Sequence, residues 1–298
     1  MSARPLPLSF HVMSKPTGAT CNLDCAYCFF LKKEKLYPGS NFTMSDEVME
    51  RYVRQTIESQ QSPHVTIAWQ GGEPTLMGVD FYRRAMKVAK EYERPGRTIE
   101  NTIQTNGTLL NAEWCEFLRE NKFLVGISLD GPAHLHDIYR RDKRDRPTFD
   151  RVVAGVRLLQ KHGVDYNILC TVNAANCRHP LEVYHFFRDE LGARYIQFIP
   201  IVERENESGA QEGTKVTERT VPSEAYGKFL IEIFDDWIKK DVGTVFVPFF
   251  DAVLASYVYG QSTVCVLQPT CGKAMALEHN GDLYSCDHFV EPAHLLGN

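Results

Sequence analysis

Short apolar runs alternate along the chain with longer stretches of helical periodicity. The strand-like runs are 8–13, 64–69, 98–105, 123–129, 165–172 and 194–200. They are rich in Val, Ile, Phe and Thr and are bounded by Gly, Pro or Asn, the composition of strands between turns. Between them, apolar residues recur three and four apart: Met49, Tyr52, Val53 and Ile57; Phe81, Ala85, Val88, Ala89 and Tyr92; Phe149, Val152, Val153, Val156 and Leu159. Thr148 and Asp150 suit the first turn of the last of these helices. Six strands separated by helices predict βα units and a parallel sheet. The expected fold is α/β, a partial (β/α)6 TIM-like barrel whose chemistry belongs at the carboxyl ends of its strands. An open doubly wound sheet is the alternative, since periodicity does not separate the two. The pattern breaks at 203–220, a polar loop, and resumes in a helix over 223–240 with Phe229, Ile233, Phe234 and Trp237 on one face. The predicted division is a barrel over 1–220, then linker helices and a small C-terminal extension over 221–298.

Composition narrows the classes of function. The 298 residues are 43% hydrophobic and 24% charged, which excludes wholesale disorder. With 33 basic and 38 acidic side chains the net charge is −5, so no strong positive field exists and a nucleic-acid partner is not expected. No apolar run approaches the ~18 residues of a membrane span. The opening Met-Ser-Ala-Arg-Pro-Leu-Pro-Leu lacks the long apolar stretch of a signal peptide. A cytoplasmic protein with no membrane partner is the expectation. Nine cysteines in such a protein point to thiol, metal or cluster chemistry rather than disulfides.

Three of them, Cys21, Cys25 and Cys28, form a C-x3-C-x2-C triplet directly after the first predicted strand. A 4Fe–4S cluster normally takes four Cys ligands, so three on one loop leave one iron open. Tyr27, Phe29 and Phe30 are placed to shield such a cluster from water. A zinc knuckle with a distant fourth ligand is the competing reading, although the loop lacks the two paired cysteines usual there.

With its aromatic residue before the last Cys, this triplet resembles the signature of the radical S-adenosylmethionine (SAM) superfamily. The resemblance implies that the open iron is chelated by the amino and carboxylate groups of SAM. It also implies that one electron from the reduced cluster breaks the C5′–S bond, giving a 5′-deoxyadenosyl radical. The protein positions the cofactor and excludes water.

Trp69-Gln70-Gly71-Gly72-Glu73-Pro74-Thr75 follows the second predicted strand. Paired glycines permit close backbone approach. By the resemblance, Gly71, Gly72 and Glu73 hold the SAM amino group; alone, the segment is an ordinary strand-to-helix turn. Gln104-Thr105-Asn106-Gly107 and Ser128-Leu129-Asp130-Gly131-Pro132 end the third and fourth strands, and both are also turn formers. The resemblance places Ser128 and Arg140 on the SAM carboxylate, Tyr27 among the cofactor contacts, Asp130 near substrate and Ile201 against the adenine. Arg140 lies in a charged run where Arg141 is a register rival. An Arg suits a carboxylate because its fork donates two parallel hydrogen bonds.

Near the end, Cys265, Cys271 and Cys286 stand in a C-x5-C-x9-G-x4-C pattern. It resembles the opening of the SPASM region, which carries auxiliary 4Fe–4S clusters; three buried thiols or a zinc pair are the plainer readings. His279–Tyr284 reads as a hairpin turn that would bring Cys271 and Cys286 together. The residue set as a whole resembles the anaerobic sulfatase-maturating enzymes, which oxidise a Cys or Ser of a sulfatase polypeptide to Cα-formylglycine. That resemblance makes Asp287, directly after Cys286, the general base. It also implies a reduced electron donor such as a ferredoxin or flavodoxin. One departure is evident: only His288 and His294, and no cysteine, follow Cys286. The expectation is a truncated chain or an incomplete auxiliary ligand set. The alternatives are another SPASM-type peptide maturase that forms crosslinks, and a non-catalytic Fe–S or zinc-binding chaperone. Cys115, Cys170 and Cys177 fall in no motif.

Overall fold

The computed structural model describes residues 10–206, 210, 212–262, 264–270 and 274–298. Six parallel strands pair in sequence order: β1 (His11–Lys15), β2 (His64–Trp69), β3 (Thr98–Thr105), β4 (Phe123–Ser128), β5 (Tyr166–Val172) and β6 (Ile196–Pro200). Helices α1 (Asp46–Ser59), α2 (Val79–Glu91), α3 (Ala112–Glu120), α4 (Ala133–Tyr139), α5 (Phe149–His162) and α6 (Pro180–His185) occupy the connections. Sequential order of parallel strands is the order of a barrel wall, and it removes the doubly wound alternative, whose order reverses at a switch point.

The bounds of β2 and β3 are those the apolar pattern predicts. Of the 8–13 run, residues 8 and 9 lie outside the described residues, and β1 extends instead to Lys15. Pairing explains the extension. Ser14 sits opposite Trp69, and Lys15 opposite a C-terminal residue, Glu278. Hydrogen bonds to neighbours on both sides carry the strand through polar residues that apolar patterning passes over.

Side chains alternate between the two faces of each strand. Val12, Val65, Ile67, Trp69, Ile103, Val125 and Ile127 are buried in one core with Met49, Tyr52, Val53 and Ile57 of α1 and Phe81 and Tyr82 of α2. The alternate positions carry Thr66, Thr102, Gln104, Ser128 and Thr171, so the inner face of the wall is polar at its carboxyl rim.

The polar 203–220 segment has no helix or strand among its described residues. Helix α7 (Ser223–Lys240) has the bounds the sequence predicts and buries Phe229, Ile233 and Trp237; Phe234 is more exposed and meets Phe250 of α8 (Pro248–Tyr259) edge-on. Strand β7 (Ala274–Glu278) then pairs in parallel with β1 along its full length, and β8 (Leu283–Tyr284) and β9 (Leu295–Gly297) add antiparallel. The hairpin turns at Gly281, whose φ of +95° suits glycine. Ala276 and Tyr284 pack with Ala19, Phe30 and Val290 in a second small core beside the triplet loop.

Gly155 of α5 lies against the Gly107 turn after β3; a Cβ there would stand 2.4 Å from the Gly107 carbonyl oxygen. Gly155→Ala is expected to cost about 1–3 kcal/mol through overpacking, read by urea unfolding of the metal-free chain.

Candidate functional site

The triplet loop springs from the carboxyl end of β1 and is held from both sides by backbone. On one side, Gly72 N–H donates to the Gly18 carbonyl (2.8 Å) and Glu73 N–H to the Thr20 carbonyl (2.9 Å). A Cβ on Gly72 would fall 2.0 Å from the Thr20 oxygen, and Gly71 has a φ of +121°. The paired glycines therefore let the β2 turn press directly on the cysteine loop. On the other side, Asp24 and Ala26 N–H donate to the carbonyls of Arg141 (2.8 Å) and Tyr139 (2.9 Å).

Glu73 is fully buried and ties this turn to the end of β3. Its Oε1 accepts from the Thr75 amide (3.0 Å) and from the hydroxyls of Thr75 (2.5 Å) and Thr105 (2.6 Å); its Oε2 accepts from the Asn106 amide (2.8 Å). Burial pushes its carboxyl above the usual range, and these donors oppose that shift. Among the described residues, the Asn106 amide is the donor recorded on Oε2. Asn106 reaches on to the triplet: its Nδ2 donates to Asn22 Oδ1 (2.8 Å) and lies 3.8 Å from Cys21 Sγ. The Gln104–Gly107 segment was legible as a polar strand end, but this link to the cysteines was not.

The three thiols are half-buried. Burial is the main cause that raises Cys21 and Cys25 to about 12 and also raises Cys28. Arg140 favours the thiolates of Cys25 and Cys28, and Lys15 favours that of Cys28. Soft donors whose ionisation needs added positive charge suit iron. Among the described residues no three His, Cys, Asp or Glu side chains gather around one ion-sized point. The fit to a cluster thus rests on donor chemistry, the loop and its cationic surroundings.

Tyr27, Asp130 and Arg140 come together at the rim. Asp130, 1% exposed, accepts the Tyr27 hydroxyl at Oδ2 (2.5 Å) and the Thr171 amide at Oδ1 (3.0 Å), and faces Arg140 Nε at 2.9 Å. Arg140 is buried, whereas Arg141 turns to the surface and bonds the Asp137 and Asp145 carbonyls, which separates the two register candidates. Asp130 is thus committed to protein partners. Behind it, His136 Nδ1 accepts the Asp130 amide (3.2 Å), its Nε2 lies 3.0 Å from Thr148 Oγ1, and that hydroxyl donates to the Arg140 carbonyl (2.7 Å). Thr148 heads α5 as expected but does not cap it; Asp137 Oδ1 takes the Thr148 and Phe149 amides instead.

Ser128 Oγ accepts from Gln104 Nε2 (3.0 Å), and Ile201 continues from β6, its amide bonded to the Val172 carbonyl (2.9 Å). Asp287 begins a single helical turn, Asp287–Phe289, and its carboxylate touches the ammonium of Lys15, a buried residue no motif singled out. Cys286 is half-buried just before it. Cys265 is exposed in the turn Cys265–Leu267, and Cys271 lies outside the described residues. Cys115, Cys170 and Cys177 are buried in the main core.

Gly72→Ala is expected to displace the triplet loop while the sheet persists, seen as reduced iron per chain after anaerobic reconstitution with an unchanged far-ultraviolet spectrum. His136 has its own signature. Burial lowers its pKa from 6.5 to about 3, so the folded chain keeps it neutral while the unfolded chain binds a proton below 6.5. Its contribution is intact above 6.5 and is lost as pH falls towards 3, at up to about 1.4 kcal/mol per pH unit. His136→Gln should flatten that part of the acid loss in urea melts.

A sequence model of the Radical SAM superfamily matches residues 16–178. A serine-type anaerobic sulfatase-maturating enzyme of Bacteroides thetaiotaomicron is 47% identical over 99% of this chain and 73% of its own length. A cysteine-type anaerobic sulfatase-maturating enzyme of Clostridium perfringens is 35% identical over 98% of this chain and 77% of its own. The solved structure of native anSMEcpe with bound AdoMet and Cp18Cys peptide superposes with a TM-score of 0.86 at 34% identity, over 97% of this chain and 76% of that one. By sequence and by fold, the chain belongs to the radical SAM superfamily and, within it, to the anaerobic sulfatase-maturating enzymes.

Proposed function

We propose that the chain is the catalyst that oxidises a Cys or Ser side chain of a sulfatase polypeptide to Cα-formylglycine. The observation that carries this reading is the meeting of two distant segments. The triplet loop leaves β1 at Lys15, and Asp287 touches that same residue. When bound at the triplet, a 4Fe–4S cluster and SAM supply a 5′-deoxyadenosyl radical that takes a Cβ hydrogen from the target.

The protein's residues do the rest. Cys21, Cys25 and Cys28 would hold the cluster. Gly71, Gly72 and Glu73 would receive the SAM amino group, and Ser128 and Arg140 would receive its carboxylate. Arg140 keeps its orientation because Asp130 and Thr171 hold it, with Asp130 in turn fixed by Tyr27. Asp130 then acts through Arg140 and Tyr27. Ile201 would pack on the adenine. Asp287 takes the thiol or hydroxyl proton of the target, and a second electron must leave; a Ser target then stands at the aldehyde, whereas a Cys target stands at the thioaldehyde, which water hydrolyses to the aldehyde with release of hydrogen sulfide. Cys265, Cys271 and Cys286 are the candidates to hold an auxiliary cluster as acceptor. A reduced ferredoxin or flavodoxin would be the electron source for a cluster held there. Residues 1–220 act as the catalytic barrel, and 221–298 bring the base and auxiliary ligands to it. No described helix is long and apolar enough to cross a membrane. A cytoplasmic site of action follows from the reducing chemistry.

The test is mass spectrometry of Cys-x-Pro-x-Arg and Ser-x-Pro-x-Arg peptides after anaerobic incubation with reductant and SAM. An aldehyde product is expected; a crosslink, or no change beside intact SAM cleavage, sinks the assignment. Asp287→Asn is expected to keep 5′-deoxyadenosine formation and to lower aldehyde formation by about 10²-fold or more, the scale of general-base catalysis.

A further inference from the structure

Two lysines tie the C-terminal extension to the flanks of the triplet loop. Lys33, 3% exposed, meets Glu291 at 3.1 Å after the loop, and Lys15, 2% exposed, meets Asp287 before it. Docking is already served by the first pair, by Tyr37 on Tyr284 (2.7 Å between hydroxyls) and by Ser40 on His279 (2.6 Å). A second buried ammonium adds a desolvation cost that a redundant clamp does not explain.

The surroundings of Lys15 are specific. Its ammonium stands 4.0 Å from the centre of the Phe30 ring, next to the triplet. Its register partner on β7 is Glu278, also buried, whose Oε1 has no hydrogen-bond partner among the described residues. Two carboxylates are thus near one lysine, and the ammonium pairs with Asp287. Asp287 itself begins a one-turn helix without a side-chain cap, and among the described residues Lys15 is the only cation recorded against it. A short turn leaves a carboxylate rotamer weakly determined, so the lysine decides where it points.

We propose that Lys15 is a positioning residue that holds the Asp287 carboxylate in the orientation needed to reach the target side chain. The proposal rests on the reading of Asp287 as the base. A displacement of about 1 Å is enough to cost on the order of 10²-fold in rate.

The reconstituted holoenzyme gives the main test, as aldehyde formed per 5′-deoxyadenosine. Lys15 also faces the Cys28 thiol, so SAM cleavage in Lys15→Met is measured and divided out: the ratio should fall by about tenfold or more while peptide KM is kept. Lys15→Arg should recover part of it, and Lys33→Met should leave it at the wild-type value. Lys15→Met combined with Asp287→Asn should lose no more aldehyde than Asp287→Asn alone. Equal loss of coupling in Lys15→Met and Lys33→Met, or multiplicative loss in the double variant, overturns the proposal. If Lys15→Met does not accumulate, Lys15→Arg decides: a reduced ratio supports positioning, and a wild-type ratio overturns it. A crystal structure of metal-free Lys15→Met should show Asp287 in another rotamer, and an unchanged one also overturns it. Wild-type product from Asp287→Asn would instead remove the base assignment, whatever Lys15 does.

Discussion

The contact between the Gly71-Gly72 turn and the backbone of residues 18–20 is the constraint on which the rest of the site depends. A flexible loop carrying three thiols cannot present them in a fixed arrangement without rigid support. Here the support is main chain on main chain, with amides of Gly72 and Glu73 on carbonyls of Gly18 and Thr20. Backbone can approach backbone that closely only where no Cβ intervenes. The buried carboxylate of Glu73 then fastens this joint to the end of β3 through Thr105 and Asn106, and Asn106 returns to the triplet beside Asn22. Three strand ends are thereby locked to one loop. A parallel sheet makes this possible because all of its carboxyl ends share one rim.

Electrostatics at that rim are set by burial. Burial makes the three thiols resist ionisation, and two buried cations, Arg140 and Lys15, act in the opposite direction. Each cation is anchored by a carboxylate, Asp130 or Asp287. Buried pairs of this kind seldom stabilise a fold more than an apolar packing would; their value lies in fixing charges in place. His136, kept neutral by burial, bonds the Asp130 amide without adding a charge beside the Asp130–Arg140 pair.

The C-terminal extension shows how an open barrel edge is used. A six-strand wall leaves β1 with one unpaired side, and β7 takes it in parallel, residue for residue from His11 to Lys15. The β8 hairpin and the following turn then bring Cys286 and Asp287 to the root of the triplet loop. Such an edge would otherwise be a site for unwanted association.

Much of this was legible in the chain itself. Alternating strand and helix periods specified the parallel α/β wall, and β2, β3 and α7 have their predicted bounds because local pattern and tertiary burial agree there. The cysteine spacing, the Gly-Gly-Glu-Pro turn and the polar strand ends marked the rim, since strand order alone places them together. Other features depended on contacts between distant segments. Lys15 and His136 fall in no motif, and nothing in the local pattern marks either as buried. Which charges are buried, and against whom, depends on separations of 10 residues for Asp130 and Arg140 and 272 for Lys15 and Asp287 along the chain. Periodicity reports which face a residue occupies, but only the folded packing decides its partner.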